Sequence, residues 1–435
     1  MDLYPPPLIR DCLIHIFAFL TEEDLITASS VCQDWNEAAE TPWLWRKMCL
    51  QRWSFCNLAV LGSEHVNHSW KRYFLQRCHL EMKMTAGRSG GYTCKSLRGH
   101  AGRVVGLVYL QGNSAQSPDL WNSRATVCSA STDGTVRAWD IQNGELLWCS
   151  PVQSPLTAII VDERREVVIT ADSTGLIKTW QGESGQEGAS FATGSPLGSL
   201  LQYNINNNWF LTVGTSQGSV YKDDLSPKVI YTESLTSPSE DEDPLCQSLP
   251  VTGCQAAVFI PTQPARLALI HHNGLHNNKA LTVFDVSIKK TKYKSEIQVQ
   301  QVESFPLTLN TRSSQVLLEA ADSNCLVLAA GQGLYVYSLK GALIANFKEH
   351  TMSISSISVD SFRVVTASQD LSLRVLTWGK DRDHGLTLES QYHLLGGSHT
   401  MSRGFTHVAC DYSSITASAE GKDGKDVLKA YSFTS

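Results

Sequence analysis

Three patterns in this sequence hold residue types that could do chemistry. Gly214-Thr215-Ser216-Gln217-Gly218 has the spacing of a nucleophile elbow, in which a serine hydroxyl attacks an acyl carbon. That elbow needs a strand, a sharp turn and then a helix. Here "SVYK" follows as a second strand, so Ser216 reads as a hairpin turn. His271, His272 and His276 are imidazoles of the kind that bind zinc, but "HHNGLHNN" is a polar Asn/Gly loop with no fourth ligand at a zinc-site spacing. His100 and Asp133 look like a general base and the acid that would orient it. No phosphate-binding glycine loop and no dinucleotide fingerprint is present. The expectation is no catalytic residue, no cofactor and no metal.

The elements that would position such groups are of two kinds. The first are helices at the N-terminus. Thr21-Glu22-Glu23-Asp24 places a hydroxyl with an acid three residues on, Ser30-Val31-Cys32-Gln33 repeats the pattern with Gln, and Thr41-Pro42 sets Pro at a first helical position. The side-chain oxygens can accept orphan backbone N–H groups, and Pro has no N–H to lose. These signals predict helices over 8–20, 22–29, 31–39 and 42–53. On the first, Leu8, Cys12, Ile16 and Leu20 form a stripe with Leu13, Phe17 and Phe19 around it, wider than the roughly 100° of a surface helix. So small a unit lacks the core volume to bury that arc alone, and the excess meets either the rest of the chain or a partner. Residues 46–90 continue in helical style, with apolar spacings of three and four in "SWKRYFLQRCHLEMKM" and a linker at "AGRSGG".

The second kind begins at Tyr92, where strand-sized apolar runs alternate with turn residues. The totals fit a small and a large domain in 435 residues. A net charge of −6 argues against a nucleic-acid binder. No run of about 18 apolar residues occurs, so neither a membrane span nor a signal peptide is expected. The twelve cysteines contain no CxxC pair and read as reduced thiols, which points to a cytoplasmic or nuclear location.

Leu8, then Leu13-Ile14-His15-Ile16-Phe17-Ala18-Phe19-Leu20, Asp24-Leu25, Val31-Cys32-Gln33-Asp34-Trp35 and Leu44-Trp45 resemble an F-box, with Ile9 standing where the family usually has Pro. F-boxes dock on the adaptor Skp1 and tether their owner to a cullin ubiquitin ligase. The resemblance implies that Leu8, Leu13, Ile16, Phe17, Leu20, Leu25, Val31 and Trp35 form or support a Skp1 interface, some of them as internal core.

The segment "GHAGRVVGLVYL…ATVCSASTDGTVRAWD", 99–140, resembles a WD repeat. The resemblance implies a structural relay of His100, Ser129, Asp133 and Trp139, in which the His–Asp pair fastens turns to the third strand rather than catalysing. Later units are degenerate: one keeps Thr170 and Trp180, one keeps Phe284-Asp285, and one keeps His350, Thr366 and Asp370 with Leu376 at the Trp position. Seven units at about the family's spacing imply an α + all-β chain of the F-box/WD-repeat family. The expected division is an F-box at 1–46, a helical linker at 47–91 and a seven-bladed WD40-type β-propeller at 92–435. The chain ends on a third strand at 427–433, and pairing it with 92–97 would close the ring and leave no long exposed edge.

In WD propellers the loops joining fourth to first strands and second to third strands share the usual partner face. Two loops belong there: 232–250, with Glu240, Asp241, Glu242 and Asp243, and 271–278, with His271, His272 and His276. They form the candidate substrate face, either an acidic lip that attracts a basic partner or a solvated insert. Some relatives read phosphorylated degrons through arginines early in first strands and in second-to-third turns. Here those positions hold Val105, Thr157, Thr132, Ser173 and Gln369, and the nearby Arg103 and Arg403 read as isolated, so no phosphate pocket is expected. The resulting expectation is a non-catalytic substrate-recognition subunit of a Skp1–cullin–F-box E3 ubiquitin ligase. It would bind Skp1, and through it cullin and RING subunits, and a protein substrate, with no nucleic-acid or membrane partner and as a monomer within the complex. The alternative is a WD-repeat scaffold that binds Skp1 without delivering substrates for ubiquitination.

Overall fold

A computed structural model of the protein describes residues 9–54, 70–86, 91–110, 125–162, 166–192, 200–204, 209–213, 228–231, 245–273, 278–290, 295–309, 315–321, 324–381, 385–396, 402–411 and 413–433. Among the described residues five helices come first: α1 Arg10–Phe17, α2 Glu22–Ala28, α3 Gln33–Ala39, α4 Pro42–Arg52 and α5 Trp70–Ala86. Thr21 caps α2, its Oγ1 accepting the Asp24 N–H at 3.3 Å, and Pro42 opens α4. The third helix departs from the expected start. Ser30 Oγ turns back to the Ile26 carbonyl at 3.4 Å, and α3 begins after Cys32, which gives no side-chain cap. The first helix also ends at Phe17, short of the predicted Leu20.

The first four helices do not close a core among themselves. Leu13, Phe17, Leu25, Leu44, Trp45 and Trp53 cluster with Phe74 of α5, so the stalk helix supplies the missing wall. Burial of each large apolar side chain there contributes about 1.5–3 kcal/mol. Trp45 donates Nε1–H to the Ala39 carbonyl at 2.7 Å and Trp53 donates to Glu81 Oε1 at 2.6 Å, which leaves neither indole N–H unmet inside the cluster.

After the helices the strands assemble into seven four-stranded antiparallel sheets, arranged as a β-propeller. In chain order they span 104–149, 156–192, 200–248, 254–307, 316–347 and 354–395, and the last joins 402–432 with Thr93–Leu97. Six are described through their side chains. In the third sheet the description is of backbone pairing and a few side chains such as Val229. Second strands such as Val167–Asp172 and Arg363–Ser368 are buried at every position, because a neighbouring sheet covers each face; fourth strands such as Glu145–Cys149 are largely exposed. The apolar clusters lie between adjacent sheets, for example Ile357 and Trp378 of the sixth against Val327 and Val336 of the fifth.

Closure is local and explicit. Thr93–Leu97 pairs antiparallel with Val427–Ser432, from Thr93 opposite Ser432 to Leu97 opposite Leu428. Asp426 Oδ2 accepts the Val104 N–H at 2.9 Å, and the Tyr109 hydroxyl lies 2.8 Å from those of Ser414 and Thr416, so the seventh sheet is bonded to the first.

Antiparallel order gives each sheet two ends. Fourth-to-first and second-to-third connections share an upper face; first-to-second and third-to-fourth turns share a lower one. The head sits on the lower face. Trp53 meets Phe362 edge-on at 6.4 Å, the Arg77 guanidinium lies 3.4 Å from the Phe362 ring centroid, and Leu80 and Met84 join the apolar cluster that holds Tyr431 and Phe433.

Candidate functional site

The residues that most resembled catalytic machinery form a closed structural relay. His100 Nδ1 lies 3.1 Å from Asp133 Oδ2 and His100 Nε2 lies 2.7 Å from Ser129 Oγ, which also accepts the Trp139 Nε1–H at 2.9 Å. Asp133 further accepts the backbone N–H groups of Ala101 (2.8 Å) and Thr135 (2.9 Å) and the Thr135 hydroxyl (2.6 Å). Ser129 is 0 % exposed, so its hydroxyl meets no substrate. Burial holds the His100 pKa below its ordinary value against the pull of Asp133, so the imidazole is neutral at pH 7. Burial also opposes the Asp133 charge, but the hydrogen bonds from Thr135 and Ala101 outweigh it and bring that carboxyl down to about 2. The turn between them needs Gly134: at φ +79° a Cβ would stand 2.1 Å from the Gln153 carbonyl oxygen. The sixth sheet repeats the relay with His350, Asp370 and Thr366 at 3.0 and 2.8 Å, and Leu376 fills the place of the tryptophan.

The helical head divides the eight residues expected at a Skp1 interface. Leu13, Phe17 and Leu25 are buried in the head core, the supporting place expected for some of the eight. Leu20 and Trp35 are half-buried, Trp35 against Phe17. Ile16 and Val31 are exposed, and Leu8 lies outside the described residues. The sequence reading gave no contact role to Phe19, which is 82 % exposed, nor to Ile9 and Trp43. Phe19 and Trp43 flank one cation, Lys47, whose Nζ is 5.7 and 5.6 Å from the two rings and donates to the Ala18 carbonyl.

On the upper face the picture changes as well. His271 and His272 belong to the strand Gln263–Asn273 rather than to a loop. His271 Nε2 is 2.8 Å from Thr282 Oγ1, which continues to Ser304 Oγ at 2.9 Å, while His272 Nε2 is 3.1 Å from Gln255 Nε2. Both rings have partners within their own sheet, and no metal-binding cluster occurs among the described residues. Glu240, Asp241, Glu242, Asp243, His276 and Ser216 lie outside the described residues. Thr132 and Gln369 are exposed and Val105 and Thr157 half-buried. Arg103 and Arg403, expected to stand apart, instead meet at one carboxylate: they lie 2.6 and 4.0 Å from Glu420 Oε1.

The F-box-like family model matches residues 10–51, the segment that forms α1 to α4. Human F-box/WD repeat-containing protein 12 is 26 % identical across 97 % of this chain and 98 % of its own length. Mouse F-box/WD repeat-containing protein 15 is 22 % identical across 93 % of each. An F-box-like head thus opens a chain similar almost end to end to F-box/WD repeat proteins. Among solved structures, the β-propeller domain of Myceliophteria thermophila Cps50 (Swd1) superposes with a TM-score of 0.52 at 14 % identity, covering 78 % of this chain and 99 % of that one. The RRP9 WD40 repeats give 0.53 at 13 % identity, covering 78 % and 97 %. These two likenesses concern the propeller fold.

Proposed function

We propose that the protein is a non-catalytic substrate receptor: its F-box docks on Skp1, its propeller holds a protein partner, and the assembly delivers that partner to a cullin ubiquitin ligase. In this reading the F-box is 1–46, the helical linker 47–91 and the propeller 92–435. The third sheet counts as one of seven blades, since its first strand, Leu200–Asn204, contacts the first strands of the second and fourth sheets. A cytoplasmic or nuclear location and a monomeric state within the complex belong to the same proposal.

The observation that carries it is the apolar surface the head leaves open. Phe19 is 82 % exposed, Ile9 71 %, Val31 61 %, Trp43 51 % and Ile16 49 %, although the same helices bury a core with α5 on their other side. An exposed apolar group of that kind on a small helical head is suited to a protein partner. The head stands on the lower face, so a Skp1 complex and an upper-face partner would occupy opposite ends of the propeller.

The test separates surface from core. Ile16→Asp with Phe19→Asp should cut Skp1 capture by at least about tenfold, since interface anchors are worth about 2 kcal/mol or more, with the melting temperature little changed. Phe17→Ala should lower the melting temperature first. Wild-type capture by the surface double variant would remove the basis of the proposal.

A further inference from the structure

We infer that the upper face of the seventh sheet carries a basic groove that takes an extended, carboxylate-rich segment of the protein partner. The inference rests on the receptor reading above and adds the chemistry of what is received. The groove has a volume of about 970 Å³ and is built by three connections that closure brings together: residues 98–100 entering the first sheet, Gly396 leaving the sixth, and the second-to-third turn of the seventh at 422–426.

Arg98, Lys422, Lys425 and Lys429 line it, against Asp423 and Asp426. Both acids are engaged by backbone: Asp423 Oδ1 accepts the Lys425 N–H at 3.2 Å and Asp426 Oδ2 the Val104 N–H at 2.9 Å. Lys429 donates to Ser96 Oγ at 2.8 Å. Arg98, Lys422 and Lys425 are exposed and make no ion pair among the described residues. Four cations against two carboxylates in a chain of net charge −6 are a local reversal of sign, and they attract anionic segments over about a Debye length. Gly99, Gly396 and Gly421 also line the groove.

The cation types supply charge without a phosphate clamp. Three of the four are lysines, which act as point charges, whereas a phosphate dianion is best gripped by converging guanidinium forks. The two guanidiniums that do converge nearby, Arg103 and Arg403, already share the internal carboxylate of Glu420.

The test uses the full chain and a labelled peptide of alternating Asp and Ser, read by fluorescence anisotropy at low and at physiological salt. A peptide with Lys for Asp and one with phosphoserine and no Asp run beside it. The Asp peptide should bind, and should weaken with salt. Lys422→Glu with Lys425→Glu, and separately Arg98→Glu from another loop, should each lower its affinity about tenfold while melting temperature and Skp1 capture stay put. The inference is overturned if the Lys peptide binds as well, or if neither reversal matters. A phosphoserine peptide that binds about tenfold tighter than the Asp peptide overturns the carboxylate assignment. Peptide binding without any Skp1 capture would sustain the groove and defeat the receptor reading instead.

Discussion

The sixth and seventh sheets use their charges in opposite ways at their two ends. At the lower end Arg363 is 3 % exposed and wholly committed. Its Nε donates to Asp360 Oδ2 at 2.9 Å, Nη1 to Met84 Sδ at 3.1 Å, and Nη2 to the Asp411 carbonyl. Asp360 Oδ1 in turn accepts the N–H groups of Phe362 and Arg363 at 2.8 and 2.7 Å. At the upper end Arg98, Lys422 and Lys425 stand in solvent without an ion-pair partner among the described residues. A buried ion is tolerated only when its pairing is complete, so the lower charges hold the head to the propeller and have no capacity left for a ligand. The upper charges contribute little to the fold, and that leaves them available to a partner.

The largest effect should come from breaking the buried pair. Arg363→Ala leaves Asp360 uncompensated in the interior and should destabilise the protein by about 3–5 kcal/mol in denaturant unfolding. Replacing both, Arg363→Met with Asp360→Leu, should recover much of that loss. A single variant as stable as wild type would show that the seam does not depend on this network. Next comes the relay of the first sheet. Asp133→Ala strands four donors, and each buried unsatisfied group costs about 1–3 kcal/mol, discounted here because the carboxylate is partly solvated. A clear fall in melting temperature with unchanged Skp1 capture is expected.

Acid should expose the same networks in two stages. Burial lowers the pKa of His100 and His350, and that of His407 to about 4. The unfolded chain, with histidines near 6.5, therefore binds more protons below that pH, and stability falls as pH drops from about 6.5 toward 4. For Asp370, as for Asp133, burial is outweighed by hydrogen bonds, from Ser372 and Thr351 in this case, and both carboxyls lie at about 2. Their contribution is whole above about pH 4 and is lost as pH falls through 2. Denaturant midpoints across pH 3–8 read both stages, and His407→Leu should shrink the first.

What the sequence made legible was whatever local chemistry decides. Thr21 and Pro42 start helices because a hydroxyl cap and a missing N–H act within one turn. The relay His100–Ser129–Asp133–Trp139 and the pairing of Thr93–Leu97 with Val427–Ser432 follow a repeating pattern. What stayed hidden depended on contacts distant in sequence. Phe17 is buried because Trp35 of α3 packs against it, whereas Phe19, two residues on, is exposed. His271 and His272 looked like loop residues because Asn and Gly surround them, yet the strand runs on through Asn273. Arg403 and Glu420 lie on paired strands of the seventh sheet, but Arg103 comes from the first and joins them only in the closed ring, as do the walls of the basic groove.

The smallest expected effect is the most informative for the contrast between the two ends. Lys422→Glu and Lys425→Glu remove no side-chain hydrogen bond among the described residues: the Lys425 backbone N–H, not its ammonium, is what Asp423 accepts. Both side chains are exposed, so the change should stay within about 0.5 kcal/mol of wild-type stability. Reversing these charges beside Asp423 and Asp426 introduces some repulsion, which salt should remove because the groups are solvated. The comparison to make is therefore between denaturant midpoints of this pair at low and at moderate salt. A small deficit that vanishes with salt fits charges that the fold does not use. A deficit of the size expected for Arg363→Ala, unchanged by salt, would mean that the lysines help hold the seventh sheet against the first. In that case the upper face would be structural like the lower one, and the partner segment would have to be sought elsewhere on the ring.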